Sequence, residues 1–267
     1  MKIQSTVKLL GIPFDANSSF LRGCSSGPDA IRLIHEQGAS NAYTEGGKLL
    51  EMGRNLLDLG DLHFASDAAP TAHKLICDEI QKHISDGSKL ISLGGDHSIT
   101  FPIIKAFHKF FSELHILHFD AHGDLYHDFQ NNYYSHASPF ARIMENGLAT
   151  SITQVGIRTL THHQREQAEK FQLNIIEMKD FDFHFLDELQ APLYISFDID
   201  VLDPAFAPGV SHHEPGGLSV RTAIKCLQSL NVNIVGADIV EYNQNRDINQ
   251  VTAAVGYKIL KEIWSLM

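Results

Sequence analysis

Leu114-His115-Ile116-Leu117-His118-Phe119-Asp120-Ala121-His122-Gly123-Asp124 is the stretch on which the fold turns. Its first six residues are largely apolar and read as a strand buried on both faces, the kind found inside parallel sheets. Its last five set Asp120, His122 and Asp124 two apart. A strand sends alternate side chains to one face, so donors at that spacing point together where the strand runs out. Packing alone gives no reason for three such groups, because carboxylates buried at that place need a compensating charge.

Two other stretches repeat the arrangement. The apolar run 90–93 leads into Gly94-Gly95-Asp96-His97-Ser98, and the run 193–197 leads into Asp198-Ile199-Asp200. Further apolar runs at 7–12, 152–157, 174–178 and 232–237 read as strands. Amphipathic stretches at 71–85, 98–111, 161–171, 219–230 and 249–264 read as helices. Strand and helix alternate, which predicts an α/β fold: a three-layer αβα sandwich with a central parallel sheet that binds ligands beyond the carboxyl ends of its strands. The 267 residues carry no low-complexity linker, internal repeat or shift in composition, so the expectation is one domain spanning 1–267.

The donors select the chemistry. His97, Asp120, His122, Asp124, Asp198 and Asp200 are carboxylates and imidazoles without thiolates, a set that suits manganese, magnesium, iron or zinc. A set of this size suits two ions sharing bridging carboxylates and one activated water. Blander roles compete at single positions. Asp96 can cap the following helix or orient His97; His118 reads as a satisfied core histidine before a further ligand; Asp203 reads as a loop buttress. His212 and His213 lie on a turn-rich loop at the site entrance and read as incidental, and His162 and His163 as solvated. Alone, His136 would read as a surface-loop histidine and Glu241 as a cap or ion-pair partner.

Composition narrows the partners. Apolar residues make up 43% and charged residues 20%, ordinary for a globular chain. Lys and Arg number 21 against 32 Asp and Glu, a net −11, with no basic run to neutralise phosphates, so nucleic acid is not an expected partner. An acidic site suits a cationic small molecule. Three scattered cysteines, Cys24, Cys77 and Cys226, suggest neither a disulfide framework nor a thiolate cluster and fit a reducing cytoplasm. No run of 18 apolar residues and no signal-type core occurs, so no membrane association is expected.

Gly94–Ser98, Asp120–Asp124 and Ser196–Pro204, in that order, resemble the arginase–agmatinase family of ureohydrolases. The resemblance runs from Gly11-Ile12-Pro13-Phe14-Asp15, Arg22-Gly23 and Gly27-Pro28 to Glu241. It implies an arginase-like fold and a manganese enzyme holding two Mn2+ on His97, Asp120, His122, Asp124, Asp198 and Asp200. It also implies that His136 shuttles a proton and that Glu241 accepts paired hydrogen bonds from a small cationic guanidino substrate, which is cleaved to urea and an amine. Homo-oligomers, trimers or hexamers, follow from the same resemblance. Ala137 departs from the glycine that the family usually carries after the histidine. Gly156-Ile157-Arg158-Thr159 lacks the aspartate that arginases place after Gly-Leu-Arg, and Pro139-Phe140 follow His136 as in agmatinase-like members. The expected substrate is therefore agmatine or a similar small guanidine. Arginase, guanidino-acid hydrolase and formimidoylglutamase are alternatives within the family; a related metal-dependent deacetylase and a non-enzymatic regulatory homologue are alternatives of other classes.

Overall fold

The computed structural model describes residues 6–267. Eight strands form one sheet: β1 (Val7–Ile12), β2 (Leu56–Asp61), β3 (Lys89–Gly94), β4 (His115–Phe119), β5 (Ser151–Ile157), β6 (Asn174–Glu177), β7 (Leu193–Asp198) and β8 (Ile234–Val240). Their order is β2-β1-β3-β8-β7-β4-β5-β6 and every neighbouring pair is parallel. The central strands are buried along their whole length, which explains their unbroken apolar runs.

Helices cover both faces. Beside one face lie α1 (Gly27–Glu36), α6 (Val220–Gln228) and α7 (Val251–Ser265), whose Ile31, Leu227 and Leu260 join the core under β3, β7 and β8. On the other face α2 (Ala69–Ile84), α3 (Thr100–His108), α4 (Pro139–Glu145) and α5 (His162–Phe171) bring Ile76, Ile103, Phe140 and Ala168 into a second core. This is the expected αβα sandwich.

The register decides where the donors meet. Leu93, Ile239, Phe197 and Phe119 pair across β3, β8, β7 and β4 in one row. The chains of these four strands therefore leave the sheet at nearly one level, where Asp198 ends β7 and Asp120 follows the end of β4.

Three elements lie outside the sequence expectation: β2, α1 and α4. β2 is an edge strand of mixed exposure, and its Leu-Leu-Asp-Leu-Gly-Asp shows no clean alternation. α1 follows a Gly-Pro start, and α4 spans only seven residues, too short for a periodic signal. β8 runs further than its apolar run predicts. Asp238 stays inside the strand, fully buried, because Thr100, Tyr194 and Ser196 all donate hydroxyl hydrogen bonds to its carboxylate at 2.7–2.9 Å.

Candidate active site

Six connections beyond the carboxyl edge, those after β1, β3, β4, β5, β7 and β8, build the site. After β3 the backbone passes so close to the first loop that a Cβ on Gly95 would lie 2.0 Å from the carbonyl oxygen of Phe14, so only glycine fits. Asp96 then caps the turn, accepting from Ser98 N at 3.0 Å, while its other oxygen accepts from Asn17 N at 2.9 Å. Asp96 thus pins the first loop. It does not orient His97: the His97 ring is held through Nε2 by Ser196 Oγ at 2.9 Å, and Ser196 donates to Asp238.

That arrangement aims His97 Nδ1 inward. It lies 3.2 Å from Asp120 Oδ2, 3.2 Å from Asp124 Oδ2 and 3.1 Å from Asp198 Oδ2, fully buried and without a hydrogen-bond partner among the described residues. His122 Nδ1 lies 3.0 Å from Asp200 Oδ2 and 3.4 Å from Asp120 Oδ1, so Asp120 faces both histidines. Backbone amides fix the carboxylates: His122 N donates to Asp120 at 2.6 Å, Asp200 N to Asp198 at 2.8 Å and Ala121 N to Asp200 at 3.1 Å. Asp124 adopts φ 49° and Glu241 φ 63°, left-handed conformations that a non-glycine residue keeps only where its surroundings hold it.

Electrostatics show what the cluster lacks. Burial, reinforced by Asp120, lifts Asp124 to about 6; burial with Asp200 and Asp120 lifts Asp198 well above the ordinary carboxylate range. Four aspartates and two imidazoles lie together with no fixed cation among them, and the orphaned His97 Nδ1 faces the carboxylates. This donor set fits divalent cations. Two groups of ligand-type atoms, each within 4.8 Å, overlap at Asp120: one with His97 and His118, the other with His122 and Asp200. His118 is committed elsewhere. Its Nδ1 accepts from Gln154 Nε2 at 2.9 Å and its Nε2 donates to Asp120 at 2.7 Å, while burial presses it down to about 4, so it is a neutral ring that orients Asp120.

A cavity of about 230 Å3 opens beside the cluster. Asp124, Asp198, Asp200 and His122 line it together with His136 and Glu241, and Ser19, Tyr126, Phe129, Ala137, Thr159, Gln164 and His212 complete the lining. His136 Nδ1 lies 2.8 Å from Glu241 Oε1, which also accepts from His97 N at 2.8 Å. Burial opposes charge on His136, but the Glu241 carboxylate outweighs it and pushes the ring up to about 9; Glu241 itself, buried yet facing that imidazole, falls to about 2.

All eight sequence-predicted residues are therefore brought to one place. Ser19, Gln154, Ser196 and Asp238 were not legible, since each reaches the site through a partner distant in sequence. His212, read as incidental, forms part of the wall with its ring 5.5 Å from that of His136. His213 bonds the Pro208 carbonyl on the surface and His162 is exposed, as expected. Asp203 buttresses its loop through Ala205 N and Gly216 N. Arg158 donates to the carbonyls of Glu214 and Asp200, fastening the loop of His212 to the sheet edge.

The fold and site define an α/β protein with a buried, acid-rich, cation-fitting centre at the carboxyl edge of a parallel sheet. The arginase family model matches residues 5–265. A mitochondrial arginase of Medicago truncatula is 43% identical, with 99% of this chain and 83% of the relative aligned. An N(1)-aminopropylagmatine ureohydrolase of Thermus thermophilus is 34% identical over 98% of this chain and 93% of its own. Among solved structures, the arginase from Medicago truncatula superposes with a TM-score of 0.93 at 40% identity, covering 99% of this chain and 88% of that one. The chain belongs to the arginase family. No helix among the described residues is long and apolar enough to cross a membrane.

Proposed function

We propose that the chain hydrolyses a guanidino group to urea and an amine. The observation that carries this reading is the joining of the acid–imidazole cluster and the His136–Glu241 pair in one cavity. His97, Asp120, His122, Asp124, Asp198 and Asp200 would hold two divalent ions, manganese by family resemblance. Such ions lower the pKa of a bound water and supply a nucleophile near neutral pH. Glu241 receives the guanidinium: among the described residues its Oε2 has only the weak Cys24 thiol as a donor, at 3.5 Å, so it is available to a planar N–H fork. His136 moves the proton that the departing amine needs.

Within this class, arginine is the first reading. Its α-amino and α-carboxylate groups together need donors and acceptors without net charge, and the far wall supplies neutral groups. Gln164 and Thr159, both uncharged, line the cavity that also holds Glu241. The names of the 42–43% identical plant arginases support the same choice. Agmatine, expected from the sequence, is the second reading, favoured by Thr159 standing where arginases carry aspartate. Urea release from arginine, agmatine and guanidinobutyrate at saturating manganese tests both. We expect kcat/KM for arginine to exceed that for agmatine by about tenfold, roughly 1.4 kcal/mol of differential transition-state binding. The reverse ratio selects agmatine, and no urea from any guanidine removes the hydrolase reading, leaving the deacetylase or regulatory alternatives.

A further inference from the structure

Both ring nitrogens of His136 are occupied, and this limits how a proton can leave the ring. Nδ1 faces Glu241 Oε1 at 2.8 Å; a carboxylate only accepts, so Nδ1 carries a hydrogen and that hydrogen is held. Exchange with the cavity therefore falls to Nε2. This nitrogen lies 2.7 Å from Ser19 Oγ and 3.1 Å from Ser19 N. A peptide N–H can donate to a neutral ring but cannot receive a proton from a charged one. A hydroxyl can do both.

We infer that Ser19 is a catalytic residue, its Oγ relaying the proton from His136 Nε2 to the nitrogen that leaves the substrate. Ser19 lines the same cavity as Glu241, Asp198 and Asp200, which places it beside the space where a guanidinium held by Glu241 would lie. Its position is fixed from several sides. The neighbouring Asn17 donates N–H to Asp96 at 2.9 Å and Nδ2 to Ser98 Oγ at 3.1 Å, and its carbonyl accepts from His136 N at 3.2 Å. The loop that carries Ser19 is thus tied both to the turn of His97 and to the segment of His136. The same Asp96 that the sequence offers as a helix cap holds the relay in place.

The inference rests on the hydrolase reading above, and the step balances as follows. The oxygen of the attacking water bonds to the guanidinium carbon, and one of its protons passes through the Ser19 hydroxyl to His136 Nε2, which holds it. As the bond between the guanidinium carbon and the substituted nitrogen breaks, its electron pair stays on that nitrogen. The Ser19 O–H bond breaks toward the nitrogen while the Nε2–H bond breaks toward Oγ. One proton has then moved from imidazolium to amine, the hydroxyl proton left on the carbon-bound oxygen passes to solvent as the urea carbonyl forms, and Ser19 ends as a neutral hydroxyl.

Four measurements test it on the full chain, the first three with manganese loaded. Ser19→Ala should keep its metal content and KM while kcat falls by about 10²-fold, within the range for a lost proton-transfer group. Ser19→Thr, which keeps a hydroxyl, should recover most of that rate. The Ser19→Ala, His136→Asn double variant should be no slower than His136→Asn alone, because the two residues serve one step. Independently of turnover, the 15N NMR signal of His136 Nε2 in the metal-free chain should move in Ser19→Ala. An active wild type with unchanged kcat in Ser19→Ala, losses that multiply in the double variant, no recovery in Ser19→Thr, or an unmoved Nε2 signal would each overturn the relay. If Ser19→Ala does not fold, wild-type rates in H2O–D2O mixtures decide: a bowed dependence is expected for two protons in flight, and a straight line overturns it. A wild type that releases no urea overturns the hydrolase reading and the relay with it.

Discussion

Two charged clusters lie at the edge of the same sheet, and they are built in opposite ways. On the β1–β2 side, Arg32 of α1 donates Nε and Nη2 to Asp58 at 2.8 and 3.0 Å, and Nη1 to Asp61. The cluster is closed: one fixed guanidinium serves two carboxylates, and Gly11 leaves the room, since a Cβ there would lie 1.6 Å from Asp61 Oδ1. On the β4–β7 side, four aspartates face two imidazoles with no fixed cation among the described groups, and one buried ring nitrogen has no partner. Charge satisfied within the chain serves folding; charge left for something from outside marks function.

Breaking the open cluster should have the largest effect. Asp120→Ala or Asp200→Ala should lose at least one bound ion per chain and abolish urea release, since Asp120 faces both histidines and Asp200 is the carboxylate nearest His122. Elemental analysis showing wild-type metal content in both variants would refute the ligand assignment. Next, His136→Asn should keep its metal and lower turnover by about 10²–10⁴-fold. Unchanged turnover would return His136 to a plain loop residue.

The comparison also predicts where stability resides. Chelation should lower the melting temperature, because an ion at about 100 times its dissociation constant adds roughly 2.7 kcal/mol to the folded state. Identical melting with and without chelator would mean that the open cluster binds nothing. The smallest effect belongs to the closed cluster. Arg32→Met should cost about 1–3 kcal/mol in denaturant unfolding, at the lower end because Asp58 and Asp61 keep part of their solvent contact. Its metal content and kcat should stay at wild-type values. A loss of metal in Arg32→Met would break the contrast between the two regions.

Legibility followed the range of the interaction. Asp120, His122 and Asp124 are readable because a two-residue spacing after an apolar run is a local fact with one geometric meaning. Asp198 and Asp200 are readable for the same reason. His136 and Glu241 are not local facts; they came from family resemblance, and the structure explains why composition could not supply them. His136 gains its meaning from Glu241, 105 residues away, and Glu241 holds a left-handed backbone that no pattern announces. The end of β8 was misplaced because Asp238 interrupts the apolar run, and its three hydroxyl partners lie on α3 and β7.

The chain sequence alone thus carries the αβα architecture, the carboxyl-edge placement and the identity of the candidate metal donors, because periodicity and burial act over a few residues. The roles of Asp96, His118, Ser19 and His212 came from the three-dimensional arrangement. His118 is a neutral ring because Gln154 and Asp120 take both its nitrogens, and Asp96 pins a loop because Asn17 comes within 2.9 Å. A hydrogen bond ends within about 3.2 Å whatever the separation along the chain, so no reading of neighbours in sequence could have assigned Gln154 or Asn17 as a partner.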